Sequence, residues 1–220
     1  MLAVADRSRA GASDARKLGR PPAASGEETR ARLVRSARQC FADYGYAGTS
    51  NRHVAEASGL TTGAIYHYFA SKQQLYFAAH EGVQDQIYDR FEKAVAEEDT
   101  LVGEISAMLD EAVQLNREDP SLARFLVTRN IDVQRYPELA PVAAEPSRRV
   151  AFYGKMFERA TARGDLRADA VPMLMDVMRV ITAGLVFAAS GDLELQAHSV
   201  ESVKALLTGD LLGNWPNGPI

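Results

Sequence analysis

Apolar residues recur at intervals of three and four along most of this 220-residue chain, which is the period of an amphipathic α-helix. The alternation of Val, Ile and Thr that marks β-strands is scarce. In the first such segment, Leu33, Ala37 and Phe41 share one face of a helix predicted over residues 27–44, and Gly45 is placed to cap its C-terminus. The pattern predicts an all-α protein of about nine helices.

Two short helices are predicted next. Thr49 and Ser50 can cap a helix that ends near residue 58, where Gly59 breaks it. Thr61 opens a second short helix through residue 68, and Ser71 caps a long helix that runs to about residue 97.

Five further helices are predicted at about 100–117, 120–133, 142–163, 170–189 and 195–212. Pro137 and Pro141 mark a break before the third of these, and Gly164 ends it. The apolar stripe predicted for that helix comprises Val150, Tyr153, Met156, Phe157 and Ala160. The helix at 170–189 is apolar nearly all round, which is typical of an element buried on two sides, here against its own core and against a partner chain.

The charge of the chain is unevenly distributed. Residues 1–72 contain 11 Lys and Arg against 6 Asp and Glu, whereas residues 73–220 contain 14 against 23. A basic head on an acidic body is the asymmetry expected of a protein that meets a polyanion at one end. The alternative, chance segregation of solvated charges, stays open on this observation alone.

Cysteine content and hydropathy indicate the compartment. The single Cys40 excludes an intrachain disulfide and lies on the apolar face of the first helix, so we interpret it as core. The N-terminus lacks the apolar region of a signal peptide. The most apolar stretch, 171–190, carries Asp176 and Arg179, which disfavours a membrane span. We therefore expect a cytoplasmic protein without a membrane partner.

Residues 49–69 have the features of a helix-turn-helix. Two short helices that cross at a steep angle need a small residue at the crossing, which Ala55 supplies, and a turn residue that tolerates positive φ, which Gly59 supplies. Val54, Leu60, Ile65 and Phe69 provide apolar anchors. The outward face of the second helix has small and hydrogen-bonding residues, which favour close approach to base edges.

The window 41–75, FADYGYAGTSNRHVAEASGLTTGAIYHYFASKQQL, resembles the N-terminal domain of the TetR family of bacterial regulators. The resemblance covers about residues 27–80. It implies a homodimer whose recognition helices enter successive major grooves of a near-palindromic double-stranded operator, about 34–36 Å apart. It also implies that a small-molecule effector, bound in the C-terminal domain, usually releases the DNA.

Composition and the resemblance together divide the chain into four parts. The parts are a disordered basic arm (1–26), rich in Ala, Gly, Ser, Pro and Arg; a helix-turn-helix DNA-binding domain (27–72); a regulatory, ligand-binding and dimerisation domain (73–213); and a C-terminal tail (214–220). The resemblance also implies roles for single residues. The arm either enters a minor groove or only aids solubility. The implied DNA-binding residues are Thr49, Ser50, Asn51, Arg52, Thr61, Thr62, Gly63, Ala64, Tyr66, His67 and Lys72.

Among these, Arg52 would reach a guanine in the major groove, and residues 61–64 would face bases. Thr49 and Ser50 would hold a phosphate at a helix N-terminus, and Tyr66 and Lys72 would bind phosphates. His67 would contact a phosphate or a thymine methyl group. Asn51 would add a contact to a base or a phosphate.

Methionine and aromatic residues of the second half suggest a ligand cavity, although the same residue types also build ordinary core. The candidates are Met108, Phe125, Arg129, Tyr153, Met156 and Met178. Arg129 is the polar candidate, able to hold an anion if it points inward, and a surface arginine is the alternative reading.

The last two predicted helices are candidates for an isologous four-helix dimer interface. Small residues on the first permit close approach, and leucines and valines line the second. The interface residues predicted are Ala183, Gly184, Phe187, Val203, Leu206 and Leu207.

Catalytic and metal sites are not predicted. The four histidines, at 53, 67, 80 and 198, lack a second ligand at short metal-binding spacing, and the chain has no phosphate loop, nucleophile elbow or HExxH motif. We therefore expect no cofactor. A ligand-responsive repressor is the favoured reading; the alternatives are a helical binding protein with a relic helix-turn-helix, and a small enzyme.

Overall fold

A computed structural model describes residues 26–144 and 148–212. This part of the chain is helical and contains no β-strand, which confirms the all-α prediction. It has ten α-helices, and the list follows the chain: α1 (Gly26–Gly48), α2 (Asn51–Ser58), α3 (Thr62–Tyr68), α4 (Lys72–Ala94), α5 (Leu101–Glu118), α6 (Ser121–Arg135), α7 (Ala140–Ala144), α8 (Arg148–Arg163), α9 (Val171–Gly191) and α10 (Leu193–Thr208).

The helix count differs from the prediction of about nine because residues 140–163 form two helices instead of one. A 3₁₀ turn at Pro137–Leu139 leads directly into α7, so helical structure starts before Val142. The predicted stripe of α8 is right except for Val150, which is half exposed, whereas Tyr153, Met156, Phe157 and Ala160 are buried. Val150 lies in the first turn of α8.

The N-terminal helices close around the apolar face predicted for α1. Leu33, Ala37 and Phe41 are fully buried against α4 and α6. Gly45 has φ 69° and ψ 178°, so the regular helix stops there and one further turn continues to Gly48. The positive φ is accessible to glycine without strain, which agrees with its predicted capping role.

An aromatic cluster joins this head to the remainder of the molecule. Tyr76 on α4 packs edge-on against Phe41, with ring centroids 4.8 Å apart, and contacts Phe125 on α6 at 5.5 Å. Tyr46 packs edge-on against Tyr76 at 5.3 Å. Because α4 runs from the head into the body, the predicted boundary at residues 72 and 73 coincides with its first turn. The predicted domain division otherwise stays a prediction, and the arm (1–26) and tail (214–220) fall almost entirely outside the described residues.

Helix α9 is less buried within the chain than its composition predicted. Only Met178, Leu185 and Ala189 are buried, while Val180 and Phe187 are more than 70% exposed. Over 168–191, length and composition alone would allow this segment to cross a membrane. One face packs on α6 and α10, as expected for the side toward its own core, and the other is uncovered in the single chain. Burial of that second side against a partner chain stays a prediction.

Candidate DNA-binding surface and ligand cavity

The turn between α2 and α3 is built as the spacing predicted. Gly59 is left-handed (φ 65°, ψ 27°) and caps α2. Its N–H donates to the Glu56 carbonyl at 3.3 Å, and the N–H of Leu60 donates to the Ala55 carbonyl at 3.0 Å, which together form a Schellman motif. Since both bonds fix the chain reversal, they set the angle at which α3 leaves α2.

Helix α3 is anchored from one side only. Ile65 and Phe69 are buried against Val54 and the rest of the head core, and the Arg30 guanidinium lies 5.3 Å from the Phe69 ring centroid. The predicted base-facing and phosphate-binding residues lie on the opposite side, where Thr61, Thr62, Gly63, Tyr66 and His67 are exposed and Ala64 is half-buried. The fold thus presents one face of α3 to solvent.

Residues at the N-termini of α2 and α3 combine local capping with exposure. Ser50 Oγ accepts from the His53 N–H at 3.2 Å, and His53 Nδ1 accepts from the Ser50 N–H at 3.4 Å, which is a capping box. Thr61 Oγ1 accepts from the Ala64 N–H at 3.2 Å. The buried Oδ1 of Asn51 has no hydrogen-bond partner among the described residues.

Thr49 is placed differently from its predicted role. It is only 2% exposed, and its hydroxyl lies 3.0 Å from the Cys40 carbonyl and 2.8 Å from the Gly45 carbonyl. Its N–H donates to the Gly45 carbonyl at 3.2 Å. The prediction that Thr49 holds a phosphate is therefore wrong, because both of its donors are used to fasten the turn between α1 and α2.

Lys72 also has a structural role that its sequence position did not reveal. Its Nζ donates to the carbonyl of Tyr46 at 2.8 Å and to that of Thr49 at 3.1 Å, and it lies 4.4 Å from the centroid of the Tyr46 ring. Partial burial lowers the pKa of the Lys72 ammonium. A phosphate contact through the remaining ammonium proton stays a prediction.

Arg52 and Tyr66 are the largest exposed side chains on this surface. The Arg52 side chain is 82% exposed, and its Nε donates to Glu56 Oε1 at 2.8 Å across one helical turn. Such exposed pairs are weak, so a DNA base or phosphate can replace the carboxylate at little cost. Tyr66 is 61% exposed although it is aromatic, which leaves its hydroxyl available to an external partner.

A cavity of about 690 Å³ lies among α4 to α10. Met108, Arg129 and Tyr153 line it as predicted. Phe125, Met156 and Met178 do not line it; they are wholly buried in the core, so these three predictions are wrong. Periodicity shows which side chains face inward, but it cannot distinguish a residue beside a cavity from one packed against its neighbours.

Polar lining residues were missed by the sequence reasoning because they are isolated polar positions on α4, α5, α8, α9 and α10. They are His80, Gln84, Asn116, Arg149, Arg179 and Gln196. Burial and the nearby Arg129 guanidinium lower the pKa of His80 to about 4, so its imidazole is neutral at pH 7. The signal available in the sequence was a His and a Gln one turn apart on an otherwise apolar face of α4.

The predicted dimer residues are all at least partly accessible in the single chain. Ala183, Gly184, Phe187 and Leu206 are exposed, and Val203 and Leu207 are half-buried. Ala183 and Phe187 also border the cavity. Helix α9 therefore forms both a wall of the cavity and part of the exposed apolar face.

Asp132 on α6 is a buried residue that links the head to the body and that sequence reasoning missed. Its Oδ2 accepts from the Tyr46 N–H at 2.9 Å and from the Tyr76 hydroxyl at 3.2 Å. Burial raises the pKa of Asp132, although both hydrogen bonds oppose this. Arg129, one turn earlier on the same helix, borders the cavity. One helix thus contacts both the DNA-binding head and the cavity.

A second buried charge fixes α1 to the body. Arg38 forms an ion pair with Asp119 and donates to Gln86 Oε1 at 2.8 Å and to Ser121 Oγ at 3.1 Å.

For the described residues, no group of three or more His, Cys, Asp and Glu side chains could hold a metal ion.

Comparisons with known proteins agree with this architecture. The family described as "Bacterial regulatory proteins, tetR family" matches residues 33–79. The HTH-type transcriptional repressor Rv1474c of Mycobacterium tuberculosis is 30% identical over 176 residues, which cover 74% of this chain and 83% of the relative.

Two solved structures share the fold. Salmonella enterica GusR superposes with a TM-score of 0.63 at 24% identity, over 86% of this chain and 98% of GusR. The regulator FadR from Bacillus subtilis, solved in complex with stearoyl-CoA, superposes with a TM-score of 0.66 at 18% identity, over 82% of this chain and 98% of FadR. With the match to the helix-turn-helix and the long alignment to a repressor, these likenesses agree on one assignment. The chain belongs to the TetR family of DNA-binding transcriptional regulators.

Proposed function

We propose that this regulator is a homodimeric repressor that binds a near-palindromic operator through the exposed face of α3 and leaves it when a small organic molecule fills the cavity. The observation that carries the proposal is the one-sided anchoring of α3. Ile65 and Phe69 hold the helix, and Thr62, Gly63 and Tyr66 stay uncovered. An ordinary solvated face would carry long charged side chains in place of these small and hydroxylated ones.

Dimerisation would place two such helices one DNA turn apart. The uncovered apolar face of α9 and α10 supports this, because a single chain would leave Val180 and Phe187 in water. Burial against a second copy, and not lipid, is the cover that we propose for α9, since Asp176 and Arg179 lie on its exposed side. The regulator would then act in the cytoplasm, where its operator is, and have no catalytic function.

The experiment is a fluorescence-anisotropy titration of the protein against the intergenic DNA upstream of its own gene, with a scrambled duplex, across a salt series. We expect tighter, salt-sensitive binding to the upstream DNA because Arg and Lys displace counterions from phosphates. Arg52→Ala and Tyr66→Phe should each weaken this binding about tenfold, given that a good side-chain contact to DNA contributes about 1–3 kcal/mol.

Arg167→Ala is the matched control. Arg167 is as exposed as Arg52 and also pairs with a neighbouring carboxylate, that of Asp169, but it lies far along the chain before α9. It should leave DNA binding unchanged. Equal, weak binding to both duplexes, unaffected by Arg52→Ala, would favour the alternative in which the helix-turn-helix is a relic.

A further inference from the structure

The cavity has an unbalanced charge. Three arginines line it, at 129, 149 and 179, and no aspartate or glutamate does so among the residues that the structure describes. Arg179 is compensated by an ion pair with Asp176 on the exposed side of α9. Arg129, by contrast, has no ion pair with a carboxylate within 26–144 and 148–212. Arg149 is likewise without an ion pair among these residues, but it is exposed to solvent, so the imbalance centres on the more buried Arg129.

The Arg129 guanidinium is held in place but not neutralised. Its NH2 group donates to the Val142 carbonyl at 2.8 Å, and its NH1 group donates to the neighbouring Asn130 Oδ1 at 2.9 Å. Its buried Nε has no described hydrogen-bond partner. Burial lowers the pKa of Arg129, but a guanidinium keeps its proton in a protein. A largely buried cation without a counter-charge is unfavourable. An anion that pairs with it therefore contributes more binding free energy than the same pair would contribute at the surface.

Neutral polar groups lie next to this cation. His80 is uncharged at pH 7, and its buried Nδ1 has no described partner. The buried Oε1 of Gln84, one turn along α4, is unpartnered as well. A neutral imidazole has one donor and one acceptor nitrogen, and the amide oxygen accepts a hydrogen bond from a donor group of the ligand; neither carries a full charge that would oppose an anion. This end of the cavity, between α4 and α6, is therefore suited to a polar group with both an acidic and a hydrogen-bonding oxygen.

The remainder of the cavity is mainly apolar, although Asn116 on α5 and Gln196 on α10 also line it. The side chains that line it from α4, α5, α6 and α9 include Ile87, Met108, Leu109, Leu122, Leu126 and Val186. The volume of about 690 Å³ is in the range of cavities that enclose a whole organic ligand. A small inorganic anion would leave most of this surface unfilled.

We infer that the effector is an amphipathic organic anion, whose acidic group pairs with Arg129 beside His80 and Gln84 and whose apolar body fills the space along α5 and α9. This inference rests on the proposed function, because it assigns the chemistry of the proposed effector site. It excludes cationic effectors and places neutral ones at a disadvantage.

Isothermal titration calorimetry on the full-length, DNA-free protein tests it with two matched sets of probes. Decanoate, 1-decanol and decyltrimethylammonium share one alkyl body, and 4-phenylbutyrate and 4-phenyl-1-butanol share an aromatic one; all are used below their aggregation concentrations. In at least one set we expect the carboxylate to bind at least tenfold more tightly than the alcohol, and decyltrimethylammonium to bind more weakly than either decyl probe. Equal affinity for carboxylate and alcohol in both sets would overturn the inference, and so would a failure of both carboxylates to bind.

Arg129→Gln identifies the residue, and Arg124→Gln is the control because Arg124 lies on the same helix, pairs with Asp43 and does not line the cavity. Arg129→Gln should reduce the affinity of the preferred carboxylate at least tenfold while changing that of its alcohol less than about threefold. Arg124→Gln should change neither by more than about threefold. Equal losses for carboxylate and alcohol in Arg129→Gln, with its thermal unfolding temperature unchanged, would contradict the assigned pairing.

Calorimetry without DNA keeps this result separate from the proposed function. If the carboxylate preference depends on Arg129 but the protein fails to bind its upstream DNA, the site chemistry stands and the repressor proposal fails. If operator binding is specific but the carboxylate preference is absent, the repressor proposal stands and the effector chemistry is wrong.

Discussion

At the scale of single residues, the DNA-facing surface depends on Gly63, which has no side chain. Gly63 is exposed at the second position of α3, and a Cβ built there would meet only Thr61 Oγ1, at 3.7 Å. Nothing within the protein therefore requires a glycine at this position. The requirement is external, since a helix that approaches base edges closely has no room for an added methyl group on that face.

Gly63→Ala should therefore separate stability from binding. Alanine is favoured over glycine in a helix by up to about 1 kcal/mol, so thermal unfolding should move slightly upward. Operator affinity, measured by anisotropy, should fall several-fold. Gly154→Ala, at an exposed position of α8 where a Cβ meets nothing within 4 Å, is the control and should raise stability without loss of affinity. Unchanged operator affinity in Gly63→Ala would remove Gly63 from the interface.

His80 gives the stability of the protein a pH dependence. Its pKa is near 4 in the folded protein and near 6.5 when unfolded, so the unfolded chain binds the proton first as the pH falls. The folded state is consequently favoured above about pH 6.5 and loses that advantage between about pH 6.5 and 4. From pH 7.5 to pH 5, we expect urea unfolding to show a loss of about 2 kcal/mol from this group.

His80→Gln should remove that part of the pH dependence. His198→Gln is the control, because His198 is exposed on α10. If wild type and His80→Gln lose stability in parallel over this range, the buried histidine is not its source.

At the scale of elements, α6 connects the two functional regions. Asp132 receives hydrogen bonds from the Tyr46 N–H and the Tyr76 hydroxyl, and Thr128 on the same helix donates to the Ala42 carbonyl at 3.3 Å. The cavity face of α6 carries Leu126 and Arg129. A shift of α6 that follows ligand binding would therefore displace the turn at Gly45, where the regular part of α1 ends.

Asp132→Ala should therefore be strongly destabilising. It leaves a buried N–H and a buried hydroxyl without their acceptor, and each loss costs about 1–3 kcal/mol. Urea unfolding should show a total loss of about 2–4 kcal/mol. Asp43→Ala also breaks a link between α1 and α6, but the exposed pair of Asp43 with Arg124 is 3.4 Å apart and should contribute under about 1 kcal/mol. Similar losses of unfolding free energy in the two variants would show that Asp132 contributes no more than an exposed ion pair.

The elements that sequence predicts well are those whose cause is local. Gly59 and Ser50 act within five residues of themselves, so the turn and the caps of α2 follow from their chemistry. Asp132 bonds to a residue 86 positions away, and nothing near either residue signals that contact. The cavity belongs to the second kind as well, since Phe125 and Met108 are equally buried apolar side chains and only Met108 lines the cavity.

At the scale of the whole molecule, the uncovered face of α9 and α10 predicts a dimer at micromolar concentration. Val180→Asp puts a charge on that face without touching the cavity, so sedimentation velocity should show mainly monomer. Val102→Asp, on the exposed side of α5, should remain dimeric. A wild-type monomer at micromolar concentration, or a Val180→Asp variant as dimeric as wild type, would place the interface elsewhere.

The double role of α9 has a thermodynamic consequence. Ala183 and Phe187 border the cavity and also lie on the face predicted to pair, so cavity filling and chain association act on the same side chains. Two binding equilibria that share a surface are linked. If effector binding changes the dimerisation constant, dimerisation changes the effector affinity by the corresponding factor. An effector that binds the dimer tenfold more tightly than the monomer would strengthen dimerisation by a factor of one hundred, because each dimer holds two sites. The sensitivity of the regulator to its effector would then depend on how many copies of the regulator the cell contains.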